Sequence, residues 1–166
     1  MTLAHAVVTA PEPIGALTVG VTEAGLALVA FGDRPDTAQR AAARLGEPLV
    51  ADPARTTAAA AQLTEYLSGA RRAFDLPLDW RLARGFRREV LRAIAAIPFG
   101  ATASYREVAA GAGSPNAVRA AGTACATNPL PIVVPCHRVL RTDGGLGGYL
   151  GGAEMKSRLL DLERAG

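Results

Sequence analysis

Cys136 stands directly after Pro135 and directly before His137 and Arg138. The thiolate is the nucleophilic form of cysteine, and an imidazole or guanidinium beside it lowers the thiol pKa, so these neighbours hold the local ingredients of an activated sulfur. The competing reading is an inert buried cysteine, because side chains adjacent in sequence can point apart. The chain has one other thiol, Cys125, and one other imidazole, His5. Two cysteines are too few for a disulfide framework. No two of these four groups have the paired spacing of a structural zinc site, so no metal is expected.

Elements must carry that thiol into position. Ile132, Val133 and Val134 predict a buried strand that Pro135 stops, placing Cys136 at the end of a rigid segment. Phe86, Val90, Leu91, Ile94 and Ile97 recur at helical spacing, and Pro98-Phe99-Gly100 ends the helix they predict. Two short helices follow, Ser104 to about Ala112 and Pro115 to about Thr127, the second with Ser114 as N-cap and Pro115 in its first position. The glycine-containing turn between them gives the outline of a helix-turn-helix. Ala117, Ala120, Ala121, Gly122, Thr123 and Ala124 leave the second helix almost without bulk, and Arg119 is its one long charged group. Such a helix can lie close against a neighbouring helix or in a nucleic-acid groove.

The first half reads differently. His5 to Thr9, Ala16 to Thr22 and Leu26 to Phe31 predict three antiparallel strands, and two helical stretches follow, Asp36 to about Leu45 and Thr56 to Leu67. Phe74, Leu76 and Leu78 alternate with Asp75, Pro77 and Asp79, which predicts an edge strand. No constellation of reactive side chains falls here, and support is the expected role. The boundaries this implies are an α+β unit over 1–80 and a mostly helical unit over 81–166.

Charge divides along the same line. Residues 1–80 carry six Arg against nine acids, whereas residues 81–166 carry eleven Arg and Lys156 against six acids. The basic half is the candidate polyanion surface; a high-GC genome would produce a similar Arg and Ala bias. With 166 residues, 49% of them hydrophobic and 20% charged, the whole chain is expected to fold as one large domain or two small ones. No apolar run reaches membrane-spanning length and the first residues lack a secretion signal, so a cytoplasmic protein without membrane contact is expected.

The segment Pro135-Cys136-His137-Arg138, preceded by Asn128-Pro129 and Ile132-Val133-Val134, closely resembles the active-site segment of the O6-alkylguanine-DNA alkyltransferases. The resemblance runs from about Phe86 to Glu163. It takes in Pro98-Phe99-Gly100, Ser104-Tyr105, Ala117-Val118-Arg119-Ala120, Gly147 to Gly152 with Tyr149, and Lys156 to Glu163. The first half matches only in element order, Ser68-Gly69 and Phe74-Asp75.

The resemblance implies an RNase H-like first domain and a winged-helix-like second domain with the helix-turn-helix. It implies irreversible, single-turnover transfer of an alkyl group from O6-alkylguanine, and from O4-alkylthymine, to Cys136, without cofactor. In the family an activating chain runs from the cysteine through a histidine and an ordered water to a glutamate, at positions held here by His137 and Glu163. Asn128 would tie the preceding turn to the cysteine loop, and Tyr105 would donate a proton to the leaving base and press on the adjacent phosphate. Double-stranded DNA would be met through the minor groove, with Ala117, Ala120 and Gly122 at the close approach, Arg119 in the place of the extruded base and Arg87 on a phosphate. Pro131, Val139, Tyr149, Leu150 and Gly151 would line the base pocket. A monomer without obligate protein partner, associated with the nucleoid, is the implied state.

Departures from the family pattern are Leu91 where bacterial members often have tryptophan, and Leu150 where a small or polar residue is frequent. The alkyltransferase-like proteins lack the cysteine; here it is retained. Two alternatives stay open from sequence: a lesion sensor that flips the base without repairing it, and a Cys-His hydrolase of small esters.

Overall fold

Adjacent residues of a strand face opposite sides of a sheet, and Leu3 and Ala4, at the start of β1 (Leu3–Thr9), are both fully buried. Both faces of the sheet are therefore covered there. β1 pairs antiparallel with β2 (Ala16–Thr22), Val8 opposite Leu17, and β2 pairs antiparallel with β3 (Gly25–Phe31). A fourth strand, β4 (Leu49–Val50), lies parallel to β1 and gives the order β3-β2-β1-β4. At two residues it is too short to leave a periodic signal in the sequence. The computed structural model describes residues 1–166 and divides into two units, Met1–Leu82 and Ala83–Gly166.

In the first unit α1 (Pro35–Leu45) buries Ala38, Ala41 and Ala42 in a cluster with Leu3, Ala27, Leu28 and Leu82. It stops at Gly46, whose φ of 68° is the left-handed conformation that ends helices. α2 (Pro53–Leu67) buries Thr56, Ala59, Leu63 and Tyr66, three or four residues apart, and lies on β1 and β2.

The alternating run from Phe74 to Asp79 does not form the expected edge strand. It touches β3 at one bridge, Leu26 with Leu78, where Leu26 N donates to Pro77 O and Asp79 N donates to Leu26 O, both at 2.8 Å. Pro77 has no N–H with which to lengthen the ladder. Buried Asp79 then holds the chain through Thr22 Oγ1 at 2.7 Å and Arg81 Nη2 at 2.6 Å. The approach is close enough to require Gly25, since a Cβ there would sit 2.3 Å from the Pro77 carbonyl oxygen.

In the second unit α3 (Phe86–Ala95) buries Val90, Leu91 and Ile94. β5 (Ala103–Ser104) leads into α4 (Tyr105–Gly111). Ser104 and Glu107 close a reciprocal cap, each side chain accepting from the other's backbone N–H at 3.0 Å. α5 (Val118–Ala126) packs on both α3 and α4, so α4, the turn and α5 form the helix-turn-helix. A 3-10 turn spans Cys136–Arg138, β6 (Val139–Leu140) pairs in parallel with β5, and α6 (Ala153–Ala165) packs on the 3-10 turn. No helix is long and apolar enough to cross a membrane.

Two expectations for this unit are corrected. α5 begins at Val118, not Pro115, and Ala117 rather than Ser114 occupies the N-cap position. Ser114-Pro115-Asn116-Ala117 instead closes a turn, Ala117 N to Ser114 O at 3.0 Å, with proline and asparagine at the central positions that favour one. Nor do Ile132, Val133 and Val134 form a strand. Ile132 has a φ of 73°, which no strand allows, and Val134 N reaches back to Leu130 O at 2.8 Å. Apolar character at Leu130, Ile132 and Val134 reports their burial, not their backbone conformation.

Candidate active site

A β-branched residue in the left-handed region is strained, so something must hold Ile132 there. Asn128 does. Its Oδ1 accepts from Leu130 N at 2.9 Å, and its Nδ2 donates to Val134 O at 2.9 Å and to Cys136 Sγ at 3.2 Å. One buried amide thus shapes the turn and touches the sulfur it delivers. Cys136 is 1% exposed, and burial pushes its thiol up to about 11, while the Asn128 hydrogen bond and the Lys156 charge pull the other way. The resting sulfur is a neutral thiol rather than the activated anion that His137 and Arg138 suggested in sequence.

Arg138 is turned elsewhere. Its Nε donates to Glu163 Oε1 and its Nη2 to Glu163 Oε2, both at 2.8 Å, and its Nη1 donates to Ile97 O at 2.6 Å. His137 Nε2 meets Glu163 Oε2 at 2.8 Å. Imidazole and carboxylate are in direct contact, without a water between them. His137 is fully buried, and that burial lowers its pKa; Glu163 acts to raise it, Arg138 and Lys156 to lower it.

Lys156 is the one lysine in a chain with 18 Lys and Arg residues, and it is completely buried. Its Nζ donates to Val139 O at 2.6 Å, to Leu146 O and to Gly148 O at 3.3 Å. Three carbonyls converging on one point suit an ammonium and not a planar guanidinium. Sequence reasoning assigned Lys156 no role; its isolation among arginines was the available signal.

Beside these groups lies a cavity of about 570 Å³, mostly apolar. α5 contributes Val118, Gly122, Cys125 and Ala126, and the loop after β6 contributes Gly147, Gly148, Tyr149 and Leu150, with Tyr105 also on the wall. Tyr105 Oη donates to Gly148 O at 3.5 Å. Gly147 permits this closeness, because a Cβ there would lie 3.1 Å from the phenol oxygen. Burial first, then the nearby Cys125 and Cys136, push Tyr105 up to about 12, so it remains a protonated donor. Cys136 is not part of the wall, yet it lies close enough that its ionised form would raise both Tyr105 and Cys125, which do line the cavity. His137 meets the Tyr149 ring edge-on, centroids 6.5 Å apart.

Cys136, His137, Glu163 and Asn128 are thus gathered in one buried cluster, and Tyr105, Tyr149 and Leu150 border the cavity. Pro131, Val139 and Gly151 do not line it. Pro131 and Val139 are buried, and the Val139 carbonyl serves Lys156 instead. On α5, Arg119 and Ala120 are exposed and Gly122 is half-buried, whereas Ala121 is fully buried and belongs to the core. A Cβ at Gly122 would meet nothing within 4 Å, so the protein's own packing does not demand this glycine. Ala117 and Arg87 are half-buried.

Comparison with known proteins accounts for both halves. Residues 8–80 match the 6-O-methylguanine DNA methyltransferase ribonuclease-like domain, and residues 85–165 match the 6-O-methylguanine DNA methyltransferase DNA binding domain. A methylated-DNA–protein-cysteine methyltransferase of Mycolicibacterium paratuberculosis is 40% identical over 156 residues, 94% of this chain and 90% of that one. An inducible methylated-DNA–protein-cysteine methyltransferase of Bacillus subtilis is 44% identical over 119 residues, 72% of this chain and 66% of that protein. The crystal structure of Mycobacterium tuberculosis O6-methylguanine methyltransferase superposes with a TM-score of 0.80 at 36% identity, covering 99% of this chain and 94% of the other. Mycobacterium tuberculosis OGT in complex with DNA gives a TM-score of 0.78 at 34% identity with the same coverage.

Proposed function

The chain belongs to the 6-O-methylguanine DNA methyltransferase family, and from that premise we infer that it repairs alkylated DNA by taking the alkyl group onto its own Cys136. The observation that carries this reading is the buried His137–Glu163 contact at 2.8 Å beside a thiol that Asn128 holds by its sulfur. Glu163 fixes the imidazole and stabilises its protonated form, the role a carboxylate plays behind a histidine base.

The chemistry is one displacement. The thiol proton passes to His137, sulfur bonds to the alkyl carbon as the carbon–O6 bond breaks, and the electron pair leaves on the base. Tyr105 donates a hydrogen bond to that developing anion. The product is a thioether, a poor leaving group, so each molecule acts once. No cofactor takes part.

A carbon attached to O6 lies inside the duplex, and the base must be extruded to reach a buried sulfur, at a cost of a few kcal/mol that a poorly paired lesion reduces. The cavity beside Tyr105 and Tyr149 receives the base, and the loop over 141–150 moves to admit its substituent to Cys136. α5 enters the minor groove with Ala117, Ala120 and Gly122 at the surface, Arg119 fills the vacated stack and Arg87 contacts a phosphate. The open space at Gly122 supports this: a side chain there would obstruct a partner, not the protein itself. The protein acts as a monomer, with residues 1–80 as support and residues 81–166 as the acceptor and DNA-binding domain. Incubation with duplex DNA carrying labelled O6-methylguanine tests the reading: one label per molecule moves to the wild-type protein and none to Cys136→Ala. Label that stays on the DNA contradicts it.

A further inference from the structure

Glu163 is saturated. Its two oxygens accept from His137 Nε2, from Arg138 Nε and Nη2, each at 2.8 Å, and from Gly100 N at 3.4 Å. An ionised carboxylate offers about four acceptor sites and no donor, so every partner must donate. The ring nitrogen facing it is therefore Nε2–H, which puts the basic lone pair of a neutral imidazole on Nδ1.

A buried carboxylate paired with histidine alone would favour a permanent imidazolium, because the charge pair would be complete without any other group. Here the charge of Glu163 is already taken by a bidentate guanidinium, the strongest geometry for such a pair. Arg138 is itself anchored by its bond to Ile97 O and by Phe99, whose ring centroid lies 5.9 Å from the guanidinium carbon. The groups facing His137 are Glu163 and Lys156 from α6, Arg138 from its own turn, and Tyr149 from the loop. Two cations against one carboxylate disfavour a standing third positive charge on the resting imidazole.

We propose that Arg138 is a positioning residue that sets the charge state of His137: by taking up the charge of Glu163 it keeps the imidazole neutral, with Nδ1 ready to receive the Cys136 proton. This rests on the alkyl-acceptor reading for its purpose, but the charge state can be read without any transfer.

The first test is nitrogen NMR of the whole, DNA-free wild-type chain at about pH 7. The expected result is a neutral His137 protonated on Nε2; an imidazolium, or a proton on Nδ1, overturns the proposal. The second is the pH profile of methyl transfer from O6-methylguanine DNA. In Arg138→Met the acid-side midpoint moves up by about one unit, so the rate falls roughly two- to sevenfold further at about pH 6 than at about pH 8. Arg138→Lys restores the wild-type midpoint. An equal loss at every pH, the signature of a merely structural arginine, overturns the proposal; if Arg138→Met does not fold, Arg138→Gln takes its place, and an unchanged His137 midpoint in its nitrogen NMR titration overturns the proposal as well. Absence of transfer by the wild type contradicts the alkyl-acceptor reading and leaves the NMR test of Arg138 intact.

Discussion

Asn128 Nδ2 lies 3.2 Å from Cys136 Sγ while also bonding Val134 O at 2.9 Å, so one side chain both folds the segment ahead of Cys136 and contacts its sulfur. Replacement by alanine leaves Leu130 N–H buried without its partner and Val134 C=O with Cys136 N–H alone. Asn128→Ala should lose about 2 to 4 kcal/mol of stability, read as a lower midpoint in urea, and should lose transfer even at temperatures where it is folded. Full activity in a folded Asn128→Ala protein would show that the sulfur needs no such holder.

Lys156 fastens the loop to β6 through the carbonyls of Val139, Leu146 and Gly148. Lys156→Met should speed hydrogen exchange over residues 141–150 and slow alkyl transfer roughly 10- to 100-fold, because a misplaced wall no longer orients the base. Lys156→Arg should not rescue it, since a planar fork cannot meet three carbonyls converging on one point.

Acid should destabilise the fold through His137. Its pKa is lowered in the folded protein by burial from the ordinary value of 6.5, so the unfolded chain binds the proton first as pH falls. Stability is therefore complete above about 6.5 and declines as pH falls from there towards the lowered folded-state pKa. Thermal midpoints measured between about pH 8 and pH 5 should fall across this range in the wild type and fall less in His137→Gln. Equal slopes in the two proteins would place the acid sensitivity elsewhere.

Arg119 is exposed at the start of α5. Arg119→Ala should fold as the wild type does and still accept a benzyl group from free O6-benzylguanine, yet repair duplex DNA about tenfold more slowly or worse, because nothing holds the extruded base out. Equal slowing on free base and duplex would assign the effect to the site itself.

What the sequence disclosed follows from what is local. β2 spans Ala16–Thr22 where its β-branched run lies, and α3 buries Val90, Leu91 and Ile94 as its spacing requires. Where burial and backbone conformation part, the reading failed. Ile132 and Val134 are apolar because they are inside, but Asn128 holds them in a turn. Pro115 looked like a helix start and instead serves a turn. Arg138 beside Cys136 suggested a cation for the sulfur, whereas its partner Glu163 lies 25 residues on, in a helix that returns to the same place. Such pairing is set by tertiary folding, and only resemblance to a family brought Glu163 into view. The unshared character of Lys156 was visible in composition, but the three carbonyls that explain it come from two separate segments.

The central claim is that one buried sulfur accepts one alkyl group. Mass spectrometry of peptides from the whole protein, after incubation with duplex DNA containing O6-methylguanine, tests it most directly. The account predicts a single methyl group, on the peptide containing Cys136, with Cys125 unmodified and unmodified guanine restored in the DNA. Methyl on any other residue, or repaired DNA with an unmodified Cys136, would contradict it.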